Sequence, residues 1–187
     1  MEKKLKDKTD LELYEMLCKG KNVARGAFEE IYERYSDRIF TYCRRYIVNT
    51  TISEDLFQEV FLRLYTSSQK GEQIHNVGGF LITVARNLCH NELKRKMTNY
   101  ADLNEINLQY TDKSIENNEV KSIVNMAIDS LPHQFREVII MKEYMDMTYA
   151  EIAQALDQSI SAVRIRIFRA KEKLREILIP YLNDLQD

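Results

Sequence analysis

At 187 residues the chain is long enough for one ordinary domain or two small ones, with a buried core in either case. Five Gly and two Pro leave few punctuation points for the turns of a β-sandwich or barrel, and helix formers are abundant, so an all-α protein is expected. The formal net charge of −2 excludes a uniformly basic protein, but the charge is unevenly placed along the chain, and placement matters more than the sum.

In chain order, Leu11, Leu13, Tyr14 and Leu17, preceded by Thr9 and Asp10 as caps, predict a short first helix. From Ala27 to Val48, Phe28, Ile31, Tyr32, Tyr35, Ile39, Tyr42, Cys43 and Tyr46 recur at three and four, one apolar face opposite Glu29, Glu33, Arg34, Asp37 and Arg45. Thr51-Ile-Ser-Glu54 has the form of a capping box opening a helix through Leu56, Phe57, Val60, Phe61 and Leu64, with an end expected near Tyr65. Thr66–Gly79, with little apolar periodicity, reads as a loop whose Gly78-Gly79 pair loosens the entry to the next helix. That helix carries Phe80, Leu81, Val84, Ala85 and Leu88 and ends in a basic cluster, Lys94, Arg95 and Lys96.

Residues 98–118 are polar, acidic and without period, as a flexible linker should be, so two small helical domains are expected at 1–97 and 119–187. Beyond the linker, Val120, Ile123, Val124, Ala127 and Ile128 predict one helix, and Pro132 opens another through Phe135, Val138, Ile139 and Tyr144. Thr148-Tyr-Ala-Glu151 is a second capping box, followed by Ile152, Ala153 and Leu156. Asp157-Gln-Ser159 then separates this helix from one beginning near Ile160. A three-residue turn between two short helices, with a small Ala153 where they approach, is a helix-turn-helix layout spanning about Leu131 to Leu178.

In such a unit the early residues of the second helix face base edges in the major groove, and basic residues meet phosphates. Ser161, Ala162, Arg164 and Ile165 hold those early turns, and Arg164 and Arg166 suit base or phosphate contact. Arg169, Lys171, Lys173 and Arg175 wind around the helix and cannot all face one duplex. A basic run alone is as often a solvated face; the capped turn ahead of it favours DNA binding. In the first domain, Arg86, Asn87, Asn91, Lys94, Arg95 and Lys96 with nearby Tyr65, Phe80 and Tyr100 suit single-stranded nucleic acid, although aromatics at helical spacing are more often core.

Cys18, Cys43 and Cys89 show no zinc or C-x-x-C spacing, so disulfide and metal frameworks are not expected, and Cys43 and Cys89 read as core residues. His75, His90 and His133 read as surface or packing residues. With no Gly-rich phosphate loop, metal-ligand spacing or nucleophile motif, neither an enzyme nor a cofactor is expected. Met1–Asp10 lacks the apolar core of a signal peptide and no apolar run approaches the ~20 residues needed to span a bilayer, so a cytoplasmic protein without direct membrane insertion is expected.

Three blocks together carry a resemblance. Ser53-Glu-Asp-Leu-Phe-Gln-Glu-Val-Phe-Leu-Arg-Leu-Tyr65 resembles region 2.2 of the bacterial sigma-70 family, and Phe80-Leu-Ile-Thr-Val-Ala-Arg-Asn-Leu88 with its basic tail resembles region 2.3. Leu131-Pro-His-Gln-Phe-Arg-Glu-Val138, Thr148-Tyr-Ala-Glu-Ile-Ala153 and Val163-Arg-Ile-Arg-Ile-Phe-Arg-Ala170 are similar to region 4. The order of blocks, with a linker and no intervening region 3, is that of the extracytoplasmic function (ECF) group.

The resemblance implies a sigma factor that binds core RNA polymerase and directs initiation at promoter DNA. Asp55, Gln58 and Glu59 would meet the β′ clamp helices. The loop from Ser67 to Asn76 and the helix from Phe80 would receive the −10 element through Asn76, Arg86, Asn87, Asn91, Lys94 and Arg95, with His75 beside the pocket. Ser161, Ala162, Arg164, Ile165, Arg166 and Arg169 would bind the −35 duplex, and region 4 would touch the β flap. The acidic linker would thread toward the RNA exit path, and an anti-sigma factor is an expected partner. Phe80 and Tyr65 stand where many relatives carry Trp, and Asp157 where Gly is common; Asp tolerates the left-handed conformation a tight turn needs. The competing expectation is a helix-turn-helix regulator that binds duplex DNA without polymerase.

Overall fold

The computed structural model describes residues 5–19, 21–47, 49–100 and 119–184, and the chain divides into two compact units, Met1–Ile106 and Asn107–Asp187. Among the described residues every regular element is helical. The first unit holds α1 (Asp10–Cys18), α2 (Lys21–Tyr46), α3 (Thr50–Gln69) and α4 (Val77–Tyr100). The second holds α5 (Glu119–Asp129), α6 (His133–Ile139) continuing into a π-helical turn (Ile140–Tyr144), α7 (Tyr149–Leu156) and α8 (Ile160–Asp184). Of the predicted linker, 98–100 belong to α4 and 101–118 lie outside the described residues.

In the first unit, α1 opens on a complete capping box: Thr9 Oγ1 accepts from the Glu12 N–H at 3.3 Å and the Glu12 carboxylate accepts from the Thr9 N–H at 2.7 Å. Its buried face, Leu13, Tyr14 and Leu17, packs on α2, whose Ile31, Ile39, Tyr42 and Cys43 are fully buried. Each such side chain withdrawn from water contributes about 1.5–3 kcal/mol. Cys89 on α4 is buried too, and its hydrogen bond to Cys43, with burial, pushes its thiol pKa far up, so it behaves as a packing residue.

The expected capping box at Thr51–Glu54 does not form. Asn49, a stronger cap than Thr, accepts from the Ile52 N–H at 3.0 Å and starts α3 at Thr50, leaving Ser53 buried inside the first turn with its hydroxyl on the Thr50 carbonyl at 2.7 Å. Nor does α3 stop at Tyr65. The hydroxyls of Thr66 and Ser68 donate back to the carbonyls of Leu62 (2.8 Å) and Tyr65 (2.7 Å), satisfying themselves within the helix and letting it run to Gln69.

The stop is Gly71, at φ +70°, where the Glu72 N–H reaches the Ser67 carbonyl and the Gly71 N–H the Ser68 carbonyl, both at 3.1 Å, in a Schellman closure. The predicted Thr66–Gly79 loop therefore shrinks to 70–76. At its far end Asn76 Oδ1 accepts from the Gly79 N–H at 2.8 Å, so Gly78 and Gly79 lie inside the first turn of α4 instead of loosening it. A Cβ on Gly78 would fall 2.9 Å from the Tyr35 ring: glycine is there to let α4 pass α2.

In the second unit the core is Ala127, Ile128, Leu131, Val138 to Met141, Met145, Met147, Ile152 and Leu156, closed by Val163, Ile167 and Ala170 of α8. The helix expected through Tyr144 widens at Ile140, where the Met145 N–H bonds the Ile140 carbonyl at 3.2 Å and Lys142 caps the Met147 carbonyl at 3.1 Å. Thr148 and Glu151 form the second capping box, at 3.2 and 2.7 Å. Asp157 ends α7 in the left-handed region (φ 51°, ψ 54°), with the Gln158 N–H on the Ala153 carbonyl at 2.9 Å. Ser159 then opens α8 by accepting from the Ala162 N–H at 3.2 Å.

Gly78→Ala should lose about 1–3 kcal/mol in denaturant unfolding, because Tyr35 is held by Asp10 and cannot swing aside, whereas Gly26→Ala, facing only the flexible end of Leu5, should gain about 0.5–1 kcal/mol. Asp157→Gly should raise stability by up to about 1 kcal/mol and Asp157→Val should lower it by more than that, read by thermal melting of the full chain.

Candidate nucleic-acid interface

The buried stripe of α8, Val163, Ile167 and Ala170, fixes what the opposite face presents. Ser161, Ala162, Arg164, Ile165 and Arg169 are exposed on it, as the helix-turn-helix reading expects, while Arg166 is half-buried at its flank. The Arg164 guanidinium lies 5.5 Å from the centroid of the Tyr149 ring in the first turn of α7, a stacking that holds it over the entrance to α8.

One residue on this face escaped the sequence reading. Phe168 is 61% exposed and sits one turn beyond Ile165, itself 54% exposed, in a stripe running Ser161, Ile165, Phe168. The signal was present in the periodicity: once Val163, Ile167 and Ala170 are assigned inward, Phe168 must point outward. Two large apolar groups flanked by arginines are suited to thymine methyl groups and sugar surfaces between phosphates. Lys171, by contrast, is engaged with Glu143 of the π turn at 2.8 Å, and Lys173 with Glu176 at 2.8 Å.

On α4 the buried Leu81, Ala85, Leu88 and Cys89 leave Thr83, Asn87, Asn91 and Lys94 exposed at i, i+4, i+8 and i+11, a polar stripe along one side. Arg86 lies half-buried at one margin, and the exposed Arg95 lies at the other, paired with the buried Glu92 at 3.0 Å. The structure thus brings Asn87, Asn91 and Lys94 together, with Arg86 and Arg95 flanking them. Asn76 stands apart at the N-terminus of α4, where its side-chain oxygen caps the helix. His75 is exposed beside it.

On α3, Asp55 and Gln58 are exposed, and the half-buried Glu59 pairs with Arg63 at 2.8 Å. Next to them lies an open groove of about 510 Å³ lined by Phe28 and Tyr32 of α2 and by Phe57, Phe61, Leu62 and Tyr65 of α3. Its rings interlock, Tyr32 against Phe61 at 4.8 Å and Phe28 against Tyr65 edge-on at 6.2 Å. Sequence periodicity places Phe28, Tyr32, Phe57 and Phe61 on apolar faces; Phe61 is buried, but two helices cannot cover so many rings, and Phe28, Tyr32 and Phe57 remain partly exposed and form a surface. Leu62, outside the predicted stripe and 56% exposed, was the sign of it. No group of three or more His, Cys, Asp or Glu among the described residues is placed to hold a metal ion. No helix of the described residues is long and apolar enough to cross a membrane.

Two models of one family match the chain: Sigma-70 region 2 over residues 31–98 and Sigma-70, region 4 over residues 122–174. The ECF RNA polymerase sigma factor SigW of Bacillus subtilis is 27% identical over 183 residues, covering 88% of this chain and 98% of its own length. The ECF RNA polymerase sigma-E factor of Escherichia coli K12 is 28% identical over 190 residues, covering 93% and 96%. Among solved structures, the sigma factor RpoE in complex with the anti-sigma factor NepR from Bartonella quintana superposes with a TM-score of 0.68 at 18% identity, over 81% of this chain and 96% of that one. CnrH in complex with the cytosolic domain of CnrY gives 0.66 at 19% identity, over 91% and 97%. With both regions matched in order and relatives aligned over nearly their whole length, the chain belongs to the sigma-70 family, in its extracytoplasmic function group.

Proposed function

We infer that the chain is a sigma factor: it binds core RNA polymerase and directs promoter-specific initiation, with −35 recognition on α8 and −10 recognition and strand capture on α4 and the loop before it. The observation that carries this is the coexistence, in family order on one chain, of a helix-turn-helix and a second helical unit whose exposed features are a polar stripe and an aromatic groove. A stand-alone regulator needs only the first. Residues 1–100 and 119–187 carry the two functions, and 101–118 link them.

Each surface suits its task. Ser161, Ala162, Arg164, Ile165, Arg166 and Arg169, joined by Phe168, offer base-edge, methyl and phosphate contacts to a duplex. Opening the −10 element means taking bases out of their stack at a few kcal/mol, which Asn76, Asn87 and Asn91 offset by hydrogen bonding while Arg86, Lys94 and Arg95 hold the backbone. Asp55, Gln58 and Glu59 with the neighbouring aromatic groove suit the clamp helices of β′, apolar contact supplying affinity and the polar rim register. Region 4 also meets the β flap. The phosphodiester chemistry belongs to the polymerase, so the chain acts by binding and not as an enzyme. An anti-sigma factor is a further partner, and the working compartment is the cytoplasm.

Run-off transcription with core polymerase on a promoter library should give chain-dependent transcripts sharing two spaced elements; tight specific duplex binding by the chain alone, with no such transcripts, would instead support the regulator. With the selected promoter, Arg164→Ala and Phe168→Ala should each weaken binding to the −35 duplex about fivefold to tenfold, and Arg166→Ala less, while core binding stays unchanged. Asp55→Lys should reverse that pattern, losing core affinity and sparing the −35 duplex, as read by competition between labelled chain and core.

A further inference from the structure

The loop 70–76 has a closed helix end on one side and the Asn76 cap on the other, and α1 ties down both the loop and the start of the helix after it. Tyr14, 58 residues earlier in sequence and nearly fully buried, donates its phenol proton to the Glu72 carbonyl at 3.0 Å, in the middle of the loop. Burial pushes the Tyr14 pKa up to about 12, so the group remains a donor throughout the working pH range.

The second hold runs through Asp10, the first residue of α1. Its carboxylate accepts from Arg34 at 2.8 Å and from the Tyr35 hydroxyl, and the Tyr35 ring lies against Gly78 in the first turn of α4. Arg34 also donates to the carbonyls of Lys8 (2.9 Å) and Lys6 (3.0 Å), tying down the chain that leads into α1. One short helix thereby fixes both the middle of the loop and the start of the helix that follows it.

We propose that Tyr14 and the Asp10–Tyr35 pair are positioning residues for −10 recognition: α1 presets the 70–76 loop and the N-terminus of α4 in the conformation that receives the unstacked strand. This rests on the sigma-factor reading of that loop. The physical reason is preorganisation. A seven-residue loop free to sample conformations must lose that freedom when a base is captured, and the two holds remove the cost beforehand. Neither tyrosine needs to touch DNA.

The test uses holoenzyme assembled from core polymerase and full chain, a single-stranded non-template −10 oligonucleotide taken from a promoter selected by run-off, and the matching −35 duplex. Tyr14→Phe removes one hydroxyl and leaves the ring in the core. It should weaken retention of the single-stranded oligonucleotide about fivefold and slow promoter opening in proportion, with core and −35 affinities unchanged. Tyr35→Phe should give the same pattern, and Asp10→Asn, which still accepts from Tyr35, should fall between it and wild type. Should Tyr14→Phe unfold in circular dichroism, Tyr35→Phe carries the comparison. Unchanged oligonucleotide retention in these variants, or a parallel loss of core and −35 affinity, overturns the proposal. Failure of wild-type holoenzyme to retain the oligonucleotide overturns the sigma-factor reading of the loop, and the proposal with it.

Discussion

Asp10 sits where the first unit is tied together. Its carboxylate accepts from Arg34 and Tyr35 on α2, and the Tyr35 ring in turn stands where a side chain on Gly78 would have to go. That crossing sets where α4 begins and which side of it faces the core, and so which side is left for Asn87, Asn91 and Lys94. A partly buried, charge-assisted contact of this kind is costly to leave half-made, so loss of one partner is expected to disturb the others. The polar stripe of α4 depends on a contact between residues that lie outside it.

Both units obtain their exposed apolar surfaces from what the core does not use. In α8, once Val163, Ile167 and Ala170 are inside, Ile165 and Phe168 are forced out among arginines. In α2 and α3, more aromatic rings are supplied than one helix pair can cover, and the excess becomes a groove beside Asp55 and Gln58. Exposed apolar groups that are contiguous and rimmed by polar residues mark sites of contact, unlike the scattered exposed leucines of any surface. The first patch is small and charge-flanked, suited to a nucleic-acid groove; the second is broad and ring-lined, suited to a protein helix.

Much of this was legible in the sequence where a local rule acts alone. The Thr9 cap, the capping box at Thr148, the left-handed Asp157 turn, the start of α8 at Ile160 and the all-helical class follow from local propensity and hydrophobic period. The misreadings arose where two local rules competed. Asn49 displaced Thr51 as the cap because the better acceptor starts the helix earlier. Thr66, Ser67 and Ser68 looked like a loop, yet hydroxyls that bond back to their own helix do not end it; Gly71 does. The need for Gly78 could not be read locally, since it arises from Tyr35, 43 positions away by number (78 minus 35). Phe168 was recoverable from the period and was missed because three neighbouring apolar residues, Ile165, Ile167 and Phe168, blur the face on inspection.

On the proposed reading, strand opening at a promoter requires this chain and core polymerase together, because the aromatic groove beside Asp55 and Gln58 and the polar stripe of α4 belong to one unit. Permanganate probing of unpaired thymines on a supercoiled promoter tests it most directly. Reactive thymines should appear within the −10 element only when chain and core are both present, and should vanish when either is omitted. Reactivity with the chain alone, or a stable complex of chain, core and promoter that never becomes reactive, would contradict the account.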